Sequence, residues 1–230
     1  MTASAVNSRQ IAGFIDHTLL KPEATSSDIA RMCAEALQYR FAAVCVNPVF
    51  AGPVSEALRS SPVKTCTVVG FPLGANLPAA KLHEAQLALD DGAQEIDMVI
   101  HIGALKARED AAVKSEIESL AAACHQRKAL LKVILETSLL TDTEKERACN
   151  HARHAGADFV KTSTGFGASG ATISDVALMR RIVGPHMGVK ASGGVRTLAD
   201  VLKMLDAGAS RIGTSNGVNI MQEALQMFGT

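Results

Sequence analysis

The sequence predicts one α/β domain of the (β/α)₈ class, the TIM barrel, and three observations lead there. Its 230 residues fall within the usual size of one such barrel and exceed most other one-domain folds. Short β-branched runs alternate with longer stretches of helical periodicity from end to end, with no Pro/Ser-rich linker or low-complexity segment between them. Three helical stretches leave by the same Gly-Ala step, at Gly92-Ala93, Gly156-Ala157 and Gly208-Ala209, where glycine supplies the left-handed turn that stops a helix. Crossovers between parallel strands are right-handed, and eight such units leave less bare edge as a closed barrel than as an open sheet. Residues 1–230 are therefore assigned to a single barrel domain.

The strands are expected, in order, near Ile15 to Leu19, Ala42 to Val46, Lys64 to Val69, Glu95 to Ile100, Leu131 to Glu136, Asp158 to Thr162, Gly188 to Ala191 and Arg211 to Gly213. Between them apolar residues recur at helical spacing, most clearly at Val113, Ile117, Leu120, Ala121 and Cys124, and at Leu198, Val201, Leu202 and Leu205. Each such helix presents one apolar face. Four helices open on a Thr-x-x-acid signature, at Thr25/Asp28, Thr141/Glu144, Thr172/Asp175 and Thr197/Asp200, where the hydroxyl can satisfy an orphan N–H of the first turn.

Composition narrows the function classes. Hydrophobic residues make up 47% and aromatics 3%, so the core is built from aliphatic side chains, which suits layered α/β packing. With 23 basic and 23 acidic residues the net charge is zero, which leaves no electrostatic footprint for nucleic acid or an anionic membrane. The five cysteines are odd in number and lack a C-x-x-C pair, an argument against a disulfide framework or a thiolate metal site and for a reducing, cytoplasmic setting. Met1 to Gln10 has no apolar h-region and no run of about eighteen apolar residues follows, so neither a targeting segment nor a membrane span is expected. Of seven scattered histidines, the close pair His151 and His154 reads as surface residues on a helix without a third ligand; no metal is called for.

Catalytic groups of such barrels sit at the C-terminal ends of strands. Strand period two puts Phe159 and Lys161 on one face with Lys161 at the mouth, and Lys190 stands at the corresponding height on the next strand. A lysine inside an apolar strand must be paired or deprotonated. Two on adjacent strands each disfavour protonation of the other, a recognised route to a neutral, carbonyl-attacking amine. The blander alternative is that both pair with carboxylates and close the mouth. Lys132 is assigned to ion pairing, on a face shared with Ile134 and Glu136. Asp97, on a face with Glu95 and Val99, fits a proton shuttle and a static salt bridge equally well. Asp16 reads first as a turn cap and second as a member of the site.

Glycine-rich turns follow the last three strands: Gly165-Phe166-Gly167 (after Thr164, itself a candidate substrate contact), Gly193-Gly194 and Gly213-Thr214-Ser215-Asn216-Gly217. Successive backbone N–H groups at helix N-termini make an anion site, and barrels often bind phosphate at their last two strands, so a phosphorylated small molecule is expected. Cys45 shares a direction with Asn47; it reads first as a small buried hydrophobe and second as a lining residue.

In order and spacing, Asp16 to Pro22, Val44 to Pro48, Glu95 to Ile100, Lys132 to Thr137, Phe159 to Gly165 and Lys190 to Arg196 resemble the deoxyribose-phosphate aldolase family over nearly the whole chain. The resemblance implies a class I aldolase without cofactor or metal. The reaction so implied is reversible cleavage of 2-deoxy-D-ribose 5-phosphate to acetaldehyde and D-glyceraldehyde 3-phosphate. Lys161 would form the imine, Lys190 would be the neighbouring cation and relay partner, and Asp97 would donate and accept protons. Gly165, Gly193, Gly194, Gly213, Ser215 and Asn216 would cradle the phosphate.

Three departures stand out: His101 where Asn is expected, Phe166 where some relatives carry Lys, and no tyrosine in the tail Gln226 to Thr230, Tyr39 being the only one in the chain. The alternatives are another barrel lyase or isomerase acting on a sugar phosphate, and a non-catalytic sugar-phosphate-binding barrel. Apolar helix faces are compatible with a homodimer.

Overall fold

A computed structural model describes residues 7–229; of the expectations above, those on Met1 to Val6 and Thr230 lie outside the described residues. The strands are β1 (Ile15–Leu19), β2 (Ala43–Val46), β3 (Lys64–Val69), β4 (Glu95–Val99), β5 (Leu130–Ile134), β6 (Phe159–Lys161), β7 (Gly188–Ser192) and β8 (Arg211–Thr214). They pair in parallel in sequence order, and β1 also pairs with β8, closing the barrel. The helices are α1 (Ser8–Ala12), α2 (Ser26–Tyr39), α3 (Ala51–Leu58), α4 (Pro78–Asp90), α5 (Ile102–Lys106), α6 (Asp110–Gln126), α7 (Asp142–His154), α8 (Ile173–Val183), α9 (Leu198–Asp206) and α10 (Gly217–Phe228). The single (β/α)₈ domain is as expected. No helix among the described residues is long and apolar enough to cross a membrane.

Both faces of the strands are covered, so β2 and β4 are buried at every residue, as parallel strands flanked by helices must be. The outer layer packs aliphatic side chains such as Ile96, Met98, Val133, Val160 and Val189 against Ile117, Leu120, Val176 and Val201. A smaller cluster of Leu20, Ala43, Cys45, Cys66 and Val68 is separate from it.

The four threonines cap their helices, each accepting from the N–H three residues on. Three form the reciprocal box; at Thr172 the return bond is missing because Asp175 pairs with Lys145 at 2.6 Å instead. At the exits, Gly92, Gly156 and Gly208 have φ of 93°, 80° and 107°, and the alanine after each donates to the helix at 2.9, 3.0 and 2.9 Å. This is the six-residue closure that releases the last carbonyls from isolation.

The differences are local. Glu136 was expected in the fifth strand but lies beyond it in the left-handed region, at φ 54°, which turns the chain towards the next strand. His151 is not a free surface residue: its Nε2 lies 2.9 Å from Asp110 Oδ1 and its side chain is only 17% exposed.

Candidate active site

Each of the eight strands sends at least one titratable side chain to a shared interior cluster. Register sets their levels: Asp97 is opposite Lys132, Lys161 opposite Lys190, and Lys190 opposite Arg211. Lys161 Nζ and Lys190 Nζ both lie 2.7 Å from the same oxygen, Asp97 Oδ2, so the two nitrogens are no farther apart than twice that distance. Lys190 also reaches Asp16 Oδ2 at 2.5 Å. Lys132 lies 2.6 Å from Glu95, 2.8 Å from Asp97 and 3.7 Å from Asp16. Arg211 completes the cluster at 2.7 Å from Asp16 and 3.0 Å from Glu95.

The electrostatics are unequal across the cluster. Burial opposes ionisation of Asp97, but Lys132, Lys161 and Lys190 outweigh it and hold the carboxyl well below the usual range. Burial likewise opposes charge on Asp16, which Lys190, Arg211 and Lys132 keep below its ordinary value. For Lys190 burial works against the ammonium, yet Asp16 and Asp97 hold it above the ordinary lysine value; Lys132 behaves the same way beside Asp97, Cys66, Glu95 and Asp16. Lys190 is therefore held as the ammonium at rest, and Asp97, bonded to three lysines, stays compatible with both readings, the salt bridge and the proton shuttle. Asp16 is no turn cap, since both its oxygens serve interior cations.

A cleft of about 400 Å³ opens at the C-terminal end of the barrel. Lys161 is the one cluster cation on its lining, together with Thr164, Gly165, Gly193, Gly194, Gly213, Ser215 and Asn216. Gly165, Gly193 and Gly194 have φ of 86°, 86° and 80°, a conformation that glycine adopts without strain. Gly213 is glycine for a different reason: a Cβ there would stand 2.2 Å from Ser192 Oγ and 3.0 Å from Lys190 Cε. The Thr164 hydroxyl is committed, donating to Glu136 at 2.5 Å and accepting from Phe166 N–H at 3.1 Å. A second cavity, about 700 Å³, shares Ser215 and Asn216 but is lined by none of the cluster cations.

Cys45 does not line the cleft. It is wholly buried beside Cys66 in the small apolar cluster, which is the hydrophobe reading. The departures have structural counterparts: His101 Nδ1 accepts from Ala104 N–H at 2.9 Å, capping α5 as an asparagine oxygen could, and the Phe166 ring meets Phe71 edge-on at 5.3 Å on the cleft rim. Cys45, Cys66 and Asp97, and Asp16, Cys66 and Glu95, bring donor atoms within 4.8 Å of one another. The Lys132 ammonium already bonds members of both sets.

Sequence reasoning missed Arg211, Glu95 and Cys66 as members of the cluster, and Ser192 and Arg196 on the cleft. The signal for Arg211 was present, since it stands two residues before Gly213 on the same strand face.

A family model described as DeoC/LacD family aldolase matches residues 11–226. The chain belongs to that family. Its relatives in the DeoC/LacD family include the deoxyribose-phosphate aldolase of Thermococcus kodakarensis, 54% identical over 95% of this chain and 99% of the relative. That of Halalkalibacterium halodurans is 56% identical over 93% and 96%. Among solved structures, the tetrameric deoxyribose phosphate aldolase from Aeropyrum pernix superposes with a TM-score of 0.90, at 36% identity over 96% of this chain and 93% of that one.

Proposed function

We propose that this DeoC/LacD family aldolase cleaves 2-deoxy-D-ribose 5-phosphate reversibly to acetaldehyde and D-glyceraldehyde 3-phosphate through an imine on Lys161. The observation that carries the reading is that Lys161 alone of the interior cations borders the cleft, over a carboxylate it shares with Lys190. The identity to deoxyribose-phosphate aldolases over nearly the full chain supports the substrate.

The uncharged Lys161 amine attacks C1 of the open-chain sugar, and loss of water leaves a protonated imine. Its remaining N–H faces Asp97, whose anion offsets the new charge. The C3 hydroxyl gives up a proton, the C2–C3 bond breaks, and its electron pair moves into the imine to form an enamine as glyceraldehyde 3-phosphate departs. Protonation of the enamine carbon and hydrolysis then free acetaldehyde and the amine. Asp97, Lys190 and a water carry these protons, the Asp97 oxygen bonded to both amines linking Lys190 to Lys161. Backbone N–H groups of the three glycine turns, with Ser215 and Asn216, hold the phosphate, and α10 begins directly behind them.

Acetaldehyde with borohydride should leave an ethyl group on Lys161, read by peptide mass spectrometry. Label on another lysine, or on none, overturns the imine reading. Lys161→Arg should abolish both labelling and cleavage, whereas an isomerase using Lys161 only as a charge would retain turnover. Full activity in EDTA is expected of a metal-free aldolase. The tetrameric relative supports self-association of this chain, and five buried free cysteines support a reducing, cytoplasmic setting.

A further inference from the structure

Within the set of groups ion-paired to one another inside the barrel, positive charge exceeds negative; the buried Glu136 beyond β5 lies outside that set and is bonded to Thr164. In one interior cluster with Lys161 (β6) are Asp16 (β1), Cys45 (β2), Cys66 (β3), Glu95 and Asp97 (β4), Lys132 (β5), Lys190 (β7) and Arg211 (β8). Counting ammonium, guanidinium and carboxylate groups, Lys132, Lys161, Lys190 and Arg211 oppose Asp16, Glu95 and Asp97, an excess of one cation. The partners are unevenly shared. Lys132 reaches all three carboxylates, Lys190 and Arg211 reach two each, and Lys161 reaches Asp97 alone, through an oxygen that Lys190 also uses.

We propose that Arg211 is a positioning residue for the aldol reaction, a permanent charge that takes up Asp16 and Glu95 and leaves Lys161 as the interior amine with no carboxylate of its own. The proposal rests on Lys161 being the imine-forming residue. A guanidinium does not lose its proton in proteins, so it cannot relieve the excess itself. Asp16 and Asp97 hold Lys190 and Lys132 charged, which leaves Lys161 as the group that can relieve it. The placement of Arg211 is firm: it opens β8, is 13% exposed at its side chain, and lies 5.3 Å over the ring of Phe159, two residues before Lys161 on β6. Without it, three cations would face three carboxylates, and the excess would be gone.

The test is kcat/KM against pH for deoxyribose 5-phosphate cleavage, together with the pH dependence of borohydride trapping at Lys161, in wild type, Arg211→Met, Arg211→Lys and Glu95→Gln. Arg211→Met should move the acid limb up by about one pH unit, roughly tenfold slower at a fixed pH on that limb, with the high-pH plateau largely recovered. Arg211→Lys should keep the limb in place, and Glu95→Gln, which enlarges the excess, should move it down. A lowered plateau with an unmoved limb in Arg211→Met makes Arg211 a packing residue and overturns the proposal. Should Arg211→Met fail to fold, Glu95→Gln decides, since a limb that stays or rises contradicts the charge count. Absence of trapping at Lys161 in wild type overturns instead the imine reading beneath it.

Discussion

Gly213 shows how one residue type can be required for two unrelated reasons. The sequence places it among turn glycines that present backbone to a phosphate, and it does border the cleft. Its structural requirement is space, because a Cβ would press on Ser192 Oγ and on the Lys190 stem. Lys190 is held between Asp16 and Asp97, so it cannot yield without disturbing the oxygen it shares with Lys161. Gly213→Ala should therefore lower kcat by about tenfold or more for an overpacking cost of about 1–3 kcal/mol, measured by steady-state kinetics and urea unfolding. Unchanged kcat would show that the lysine stem moves freely.

At the scale of elements, helix starts and stops were legible because their chemistry is local. A threonine hydroxyl and an acid three residues on satisfy the first turn wherever that turn sits, and all four predicted caps form. The missing return bond at Thr172 was not legible, because the competitor Lys145 comes from another helix, thirty residues away. Thr197→Ala should cost about 1 kcal/mol through loss of the cap. Gly156→Ala should cost about 1 kcal/mol for a different reason. No atom lies within 4 Å of the added Cβ, so the penalty is only that of holding alanine at φ 80°. Urea midpoints measure both, and Gly156→Ala should leave kcat/KM unchanged.

For the whole molecule, the charge cluster ties stability to pH. Asp16 and Asp97 have folded pKa values below the ordinary carboxylate range. Their stabilisation is complete above the unfolded value near 4 and is lost as pH falls below it. Lys132 and Lys190 lie above the ordinary lysine value, so their share is intact until pH rises past about 10. The melting temperature should be flat from about pH 5 to 9 and fall steeply below about pH 4; an unchanged value at pH 3 would mean that the cluster contributes little to folding. The Cys124 and Cys149 thiols should stay inert across that plateau, since both are buried and burial pushes them up to about 12.

The order of elements, the closed barrel, the strand lysines and the glycine turns follow from periodicities of two and 3.6 residues and from local turn chemistry, all of which are written along the chain. Which lysine meets the cleft, which carboxylate it shares, and the membership of Arg211, Glu95 and Cys66 depend on register and closure around all eight strands. Asp16 and Lys190 are 174 positions apart yet form an ion pair, and no local pattern encodes a contact made only when the first strand meets the last. Charge balance is a property of the enclosed set of groups, so it exists only once the barrel has brought them together and excluded water.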